Sequence, residues 1–145
     1  MAERFRRDQA IGEIMTKDLS TVEPRSTITE AARLMRDNDT GAVLVVDGDQ
    51  VQGLLTDRDI AVRAVADGRN PDETPAGDIA SSDLITLEPT STIDEAVKAM
   101  REANVRRLPV TENGKPAGVI SLGDLAMARD EESALADISA ASPNN

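Results

Sequence analysis

Between residues 11 and 127 the apolar and polar positions follow one script, written twice. Ile11, Ile14 and Met15 stand at helical spacing and predict a short lead-in helix. Residues 19–22 read as a short strand that stops at Glu23-Pro24. Thr27-Ile28-Thr29-Glu30 has the T-x-x-E form of a capping box. The helix it opens carries an apolar stripe at Ile28, Ala31, Ala32 and Met35. Residues 42–46 are apolar and β-branched, which predicts a buried strand. Asp47-Gly48 signals a hairpin, and residues 51–55 form the returning strand. A second helix, starting at Thr56, carries Ile60, Ala61, Ala64 and Val65.

The second half repeats each step. Residues 84–87 predict the short strand, and Pro89 stops it. Thr92-Ile93-Asp94-Glu95 is the capping box, and Ile93, Ala96, Val97 and Met100 form the stripe. Residues 108–111 and 117–120 predict the hairpin strands around Asn113-Gly114, and a helix opens at Ser121. Pro24 and Pro89, Met35 and Met100, Gly53 and Gly118, and Asp59 and Asp124 all lie 65 residues apart. Residues 11–62 slide onto 76–127 without a gap, with 18 of 52 positions identical. Two copies of so long a period argue for two matched halves sharing a cleft rather than an open solenoid. The expected organisation is an extension at 1–10, one repeat at 11–66, a linker at 67–75, a second repeat at 76–130 and a tail at 131–145. Gly68, Asn70, Pro71 and Pro75 mark the linker. The small, polar residues 139–145 are expected to fray. Each repeat is an α/β unit of order βαββα.

Composition narrows the chemistry. A chain of 145 residues can bury a core of ordinary size, but halves of roughly 60 residues are each marginal alone. They are therefore expected to fold as one unit. The single aromatic residue, Phe5, precedes the first repeat, so the core is aliphatic. Sixteen Lys and Arg face 27 Asp and Glu, a net charge of −11 that repels nucleic-acid backbones. Cys and His are both absent, which excludes disulfides, zinc sites built on those residues, Cys nucleophiles and Ser-His triads. That absence of Cys fits a reducing cytoplasm. No apolar run reaches 18 residues, and no apolar segment follows Arg4, Arg6 and Arg7, so neither a membrane span nor a signal peptide is expected. Asp130-Glu131-Glu132 reads as a solvated helix surface. Asp47 and Asp49 read as turn residues, since no ligand spacing supports a magnesium site there.

The segments with most chemical content are Gly53-Leu54-Leu55-Thr56-Asp57-Arg58-Asp59 and Gly118-Val119-Ile120-Ser121-Leu122-Gly123-Asp124. Each places a Gly on a strand, a hydroxyl where strand becomes helix, and a carboxylate one turn later. Free N–H groups at such a turn can hold a phosphate, and the carboxylate can accept hydrogen bonds from a ribose diol. The same Ser/Thr-x-x-Asp pattern also serves as a plain helix cap. Both copies follow a Gly-containing strand and both use Asp, whereas the boxes at Thr27 and Thr92 use Glu.

In this order, twice, these motifs resemble a tandem pair of CBS domains, the cystathionine β-synthase domain family that forms the Bateman module. The resemblance spans about residues 11–127. It rests on Met15-Thr16, Pro24-x-x-Thr27-Ile28-x-x-Ala31, Arg106-Arg107-Leu108-Pro109-Val110 and the two Gly-x-x-Ser/Thr-x-x-Asp segments. Thr56-Asp57-Arg58-Asp59-Ile60 is similar to stand-alone bacterial CBS pairs, a set that includes hypoxic-response proteins. The resemblance implies two repeats packed sheet to sheet about a pseudo-two-fold axis. It also implies a cleft for AMP, ADP, ATP, S-adenosylmethionine or a related adenosine ligand. Carried over by position, Asp59 and Asp124 hold ribose, and Thr56 and Ser121 meet its phosphate or ribose edge. Arg106 pairs with phosphate, with Arg107 beside it. Backbone and apolar groups near Leu19, Val22, Leu84 and Leu87 line the adenine slots. Arg106-Arg107 aligns with Gly41-Ala42, so the phosphate clamp is absent from the first repeat unless Arg58 substitutes. Two unequal sites follow, with phosphate favouring the one nearer Arg106. The resemblance further implies a homodimer formed through helices, for which Ala61, Ala64 and Ala126 are suited, though they suit the core of a single chain equally, and a regulated protein not identified by the sequence. Catalysis is not expected, because no repeated Lys or Tyr constellation supplies a base. A ligand-free scaffold, in which both Ser/Thr-x-x-Asp segments are only caps, is the competing reading.

Overall fold

The computed structural model describes residues 8–82 and 85–128. The expectations for residues 130–132 and 139–145 fall outside them. After a 3-10 turn at Ile11–Glu13 come β1 (Thr21–Val22), α1 (Ile28–Asn38), β2 (Ala42–Asp47) and β3 (Gln50–Thr56). A short α2 (Asp57–Asp59) continues as a π-helix over Ile60–Val65. The second half holds α3 (Ala76–Ile79), α4 (Ile93–Ala103), β4 (Arg107–Glu112) and β5 (Lys115–Ser121), after which residues 122–128 are helical.

Local signals set most of these boundaries. Thr27 and Thr92 each accept the N–H of the Glu three residues on at 3.1 Å, and each Glu accepts the Thr N–H at 2.8 Å. Both helices end on a left-handed residue, Asp39 at φ 53° and Asn104 at φ 57°. The stripes bury Ile28, Ala31 and Met35, and Ile93, Ala96 and Met100; Ala32 faces solvent and Leu34 packs in its place. Both hairpins are two-residue loops. In Asn113-Gly114 both φ angles are positive, whereas only Gly48 is positive in Gly48-Asp49. The two turns therefore match the primed geometries that suit strand twist.

Three expectations change. The strand expected at 19–22 is only Thr21–Val22, paired in parallel with Leu44 and Val45 of β2. In the second repeat no strand stands at residues 85–87: Leu87 makes one parallel bridge to Val110, and Leu84 lies outside the described residues. The helix at Thr56 is α for three residues and π for six, with Ala66 N–H reaching Ala61 O at 3.0 Å. That wider coil places Ala64 in the core and Arg63 Nη1 3.1 Å from Ile79 O.

The lead-in segments are exchanged between the halves. Each lead-in segment docks on the opposite repeat, so the chain crosses back before pairing. Ile11 N–H binds Ser91 O at 2.8 Å, Gly12 N–H binds Pro89 O at 2.9 Å, and Thr16 and Val119 exchange both backbone bonds. Sixty-five residues later, Gly77 N–H binds Pro24 O at 2.8 Å, and Ser81 and Leu54 exchange theirs. One hydrophobic cluster joins Ile28, Val43, Val45 and Leu55 to Ala76 and Ile79; the other joins Ile93, Val110 and Ile120 to Ile11. Neither core is complete without a segment from the other half. The sheets meet through β3 against β4 and β5. At one end of this contact Val51 N–H binds Gly114 O at 2.9 Å and Lys115 Nζ lies 3.6 Å from Asp49 Oδ2.

Candidate functional site

Thr56 and Ser121 end β3 and β5 in matching turns. Thr56 Oγ1 accepts Asp59 N–H at 3.1 Å, and Asp59 Oδ2 accepts Thr56 N–H at 2.9 Å. Ser121 Oγ accepts Asp124 N–H at 2.9 Å, and Asp124 Oδ2 accepts Ser121 N–H at 3.0 Å. Both are reciprocal capping boxes, and both lie half-buried. Each carboxylate spends Oδ2 on the backbone. Oδ1 takes no hydrogen bond among the described residues, and each hydroxyl keeps its proton to donate.

Groups from elsewhere in the chain border each turn. Thr16 Oγ1, on the lead-in segment of the first repeat, donates to Asp124 Oδ2 at 3.4 Å. Arg107 Nη1, from the second repeat, lies 3.7 Å from Asp57 Oδ1, beside the Thr56–Asp59 turn. Gly41 makes room for that pair: a Cβ there would lie 2.9 Å from both Arg107 Nη2 and Asp57 Oδ2. The backbone repeats across the halves, with Asp57 N–H on Gly41 O at 2.9 Å and Leu122 N–H on Arg106 O at 2.8 Å. The two arginines thus part company. Arg106 stays by its backbone with the Ser121–Asp124 turn, its side chain exposed and unpaired among the described residues. Arg107 reaches the other turn. Arg58 is exposed beside Arg107's partner, its N–H on Asp57 Oδ1 at 2.8 Å.

Three of the residues expected to line adenine slots are described. Val22 and Leu87 are 8% and 9% exposed and belong to the two hydrophobic clusters. Leu19 is half-buried. The chain itself covers both motif glycines: Ser81 O lies over Gly53 and Thr16 O over Gly118. Sequence reasoning missed Thr16 and Asp57 as neighbours of the turns. For Thr16 a signal exists, since Ser81 carries a hydroxyl one period later. Asp57 has no such echo, its counterpart being Leu122.

Among the described residues no cluster of three or more Asp or Glu is placed to hold a metal ion. Asp47 accepts a bond from Gln52 at 3.2 Å, and Asp49 is engaged by Gln50 and Lys115. No described helix is long and apolar enough to cross a membrane.

The CBS domain model matches residues 11–65 and 76–131. The chain belongs to the CBS-domain family. CBS domain-containing protein YhcV of Bacillus subtilis is 38% identical over 118 residues, covering 81% of this chain and 84% of that one. Hypoxic response protein 1 of Mycobacterium tuberculosis is 34% identical over 115 residues, covering 79% and 80%. The crystal structure of a Hypoxic Response Protein I, solved with two coordinated zinc ions, has a TM-score of 0.75 at 32% identity, covering 82% and 98%. Another CBS pair, solved with 5′-methylthioadenosine and S-adenosyl-L-methionine, has a TM-score of 0.76, covering 86% and 98%; at 21% identity it speaks to the fold alone. CBS-pair proteins are generally regulatory.

Proposed function

We propose that this CBS pair is a regulatory module that binds an adenosine-type ligand between its repeats and signals by a change of conformation or assembly. The observation that carries the reading is the placement of groups from one half against the motif turn of the other. Thr16 meets Asp124, and Arg107 meets the turn of Thr56 and Asp59. Asp59 and Asp124 offer Oδ1 to ribose hydroxyls, and Arg106, Arg107 and Arg58 offer charge to phosphates. AMP, ADP, ATP and S-adenosylmethionine are the proposed ligand class; a CBS pair of the same fold was solved with two adenosine compounds. A ligand changes the arrangement only as far as it binds one state better. Exposed Val62, Val65, Leu122 and Met127 lie on the helical segments that the two motif turns open and support a homodimer formed there. The proposed setting is cytoplasmic, with a regulated protein as partner and neither membrane nor nucleic acid involved.

Native mass spectrometry of the purified protein, followed by extraction of small molecules, tests ligand and assembly together. A thermal-shift series with adenine compounds accompanies it. A ligand at about 100 Kd adds roughly 2.7 kcal/mol to native stability. The absence of any shift or bound compound would favour a second reading, a ligand-free scaffold. The closed capping boxes at Thr56 and Ser121 are the observation on its side.

A further inference from the structure

We infer that Asp57 is a specificity residue: it holds Arg107 in an ion pair across the repeats, and a ligand phosphate must displace it to use that arginine. The inference rests on the adenosine-site reading above and adds a competitor within it. Arg107 and Asp57 belong to different repeats, and their charged atoms lie 3.7 Å apart. The side chains are 35% and 67% exposed, so the pair is one of the weak, screened kind. A phosphate offers the guanidinium a shorter, two-pronged contact with more charge. The exchange is therefore favourable, but only for a ligand that carries an anion near Arg107. A neutral nucleoside leaves the pair closed.

The other half has no such competitor. Asp57 aligns with Leu122, and Arg107 with Ala42. Arg106, beside Leu122, has no acidic partner among the described residues. A Cβ on Gly41 would lie 2.9 Å from the ends of both side chains, so a larger residue there would make one or both swing aside. Phosphate capture at the Thr56–Asp59 turn thus opens a link between the repeats. Capture near Arg106 opens none. Ligand charge is in this way converted into looser contact between the halves at one end of their interface.

Titration calorimetry with AMP and with adenosine, on the native chain and on Asp57→Asn, tests this. Asn keeps the acceptor for Arg58 N–H and removes the charge. AMP affinity at one of the two sites is expected to rise by up to roughly fivefold in the variant, in line with the loss of an exposed ion pair. Adenosine affinity is expected to move far less. Added salt should narrow the AMP difference, because screening weakens the native pair first. Equal AMP affinities for the two proteins, or an equal rise for adenosine, would overturn the gate while leaving the site reading intact. No binding of either compound to either protein would overturn both.

Discussion

A Cβ placed on Gly53 would lie 2.8 Å from the carbonyl oxygen of Ser81. That oxygen belongs to the segment leading into the second repeat, which pairs with Leu54 in the first. Gly53→Ala must therefore push backbone against backbone, and a loss of about 1–3 kcal/mol is expected. At Gly118 the obstacles are the flexible end of Met15 as well as Thr16 O. Urea denaturation of both Ala variants checks this; an unchanged midpoint for Gly53→Ala would contradict the contact.

Ile11 is fully buried, and its neighbours are Ile93, Val110 and Ile120 of the far repeat. Ile11→Ala is expected to cost about 2–5 kcal/mol. Hydrogen exchange should quicken in α4 and β5 before α1 and β2, although the mutation stands next to the first repeat in sequence. Faster exchange confined to the first repeat would show that the lead-in segment packs at home.

Thr92 caps α4 and borders no motif turn, whereas Ser121 caps the turn that holds Asp124. Both Thr92→Ala and Ser121→Ala are expected to lower stability by about 0.5–2 kcal/mol. Only Ser121→Ala should also weaken AMP binding. If the two variants bind AMP alike, Ser121 acts as a cap and nothing more.

Asp49 titrates below the ordinary carboxylate value of 3.8, chiefly through the Gln50 side-chain hydrogen bond and also through the Lys115 charge. A carboxyl with a lowered folded pKa stabilises the fold above pH 3.8 and loses that contribution as pH falls through its folded value. Melting curves between about pH 5 and 2 should thus fall less steeply for Asp49→Asn than for the native chain. Parallel curves would remove Asp49 from the acid response.

Val65 is 62% exposed on the π-helix and Met127 63% exposed on the later helical segment. If these faces meet in a homodimer, Val65→Asp and Met127→Asp should each shift sedimentation toward monomer while leaving the thermal midpoint of the monomer nearly unchanged. Native-like assembly of both variants would place the subunit contact elsewhere.

Local chemistry was readable where it completes itself within a few residues. The boxes at Thr27 and Thr92 close over one turn, and the Asn113-Gly114 hairpin closes over two residues, so their patterns stand alone. The exchange of lead-in segments was not readable. Gly12 and Gly77 share the same surroundings in sequence, and docking at home or across leaves the same pattern. The π-helix also left no mark, because Ile60, Ala61 and Ala64 keep helical spacing in either coil. Of the site, the two motif turns were legible as units. The partition of Arg106 and Arg107 between them was not, because it depends on how one sheet faces the other.

The crossed docking of the lead-in segments sets an order for synthesis on the ribosome. The first repeat can close its core once residues 76–81 have emerged. The second must wait for its final strand to receive residues 11–16, which were made first. At about 5–20 residues per second that delay is of the order of ten seconds. Throughout it Ile11 has no seat, so the newborn chain carries an unburied apolar hook that chaperones or a neighbouring nascent copy can catch.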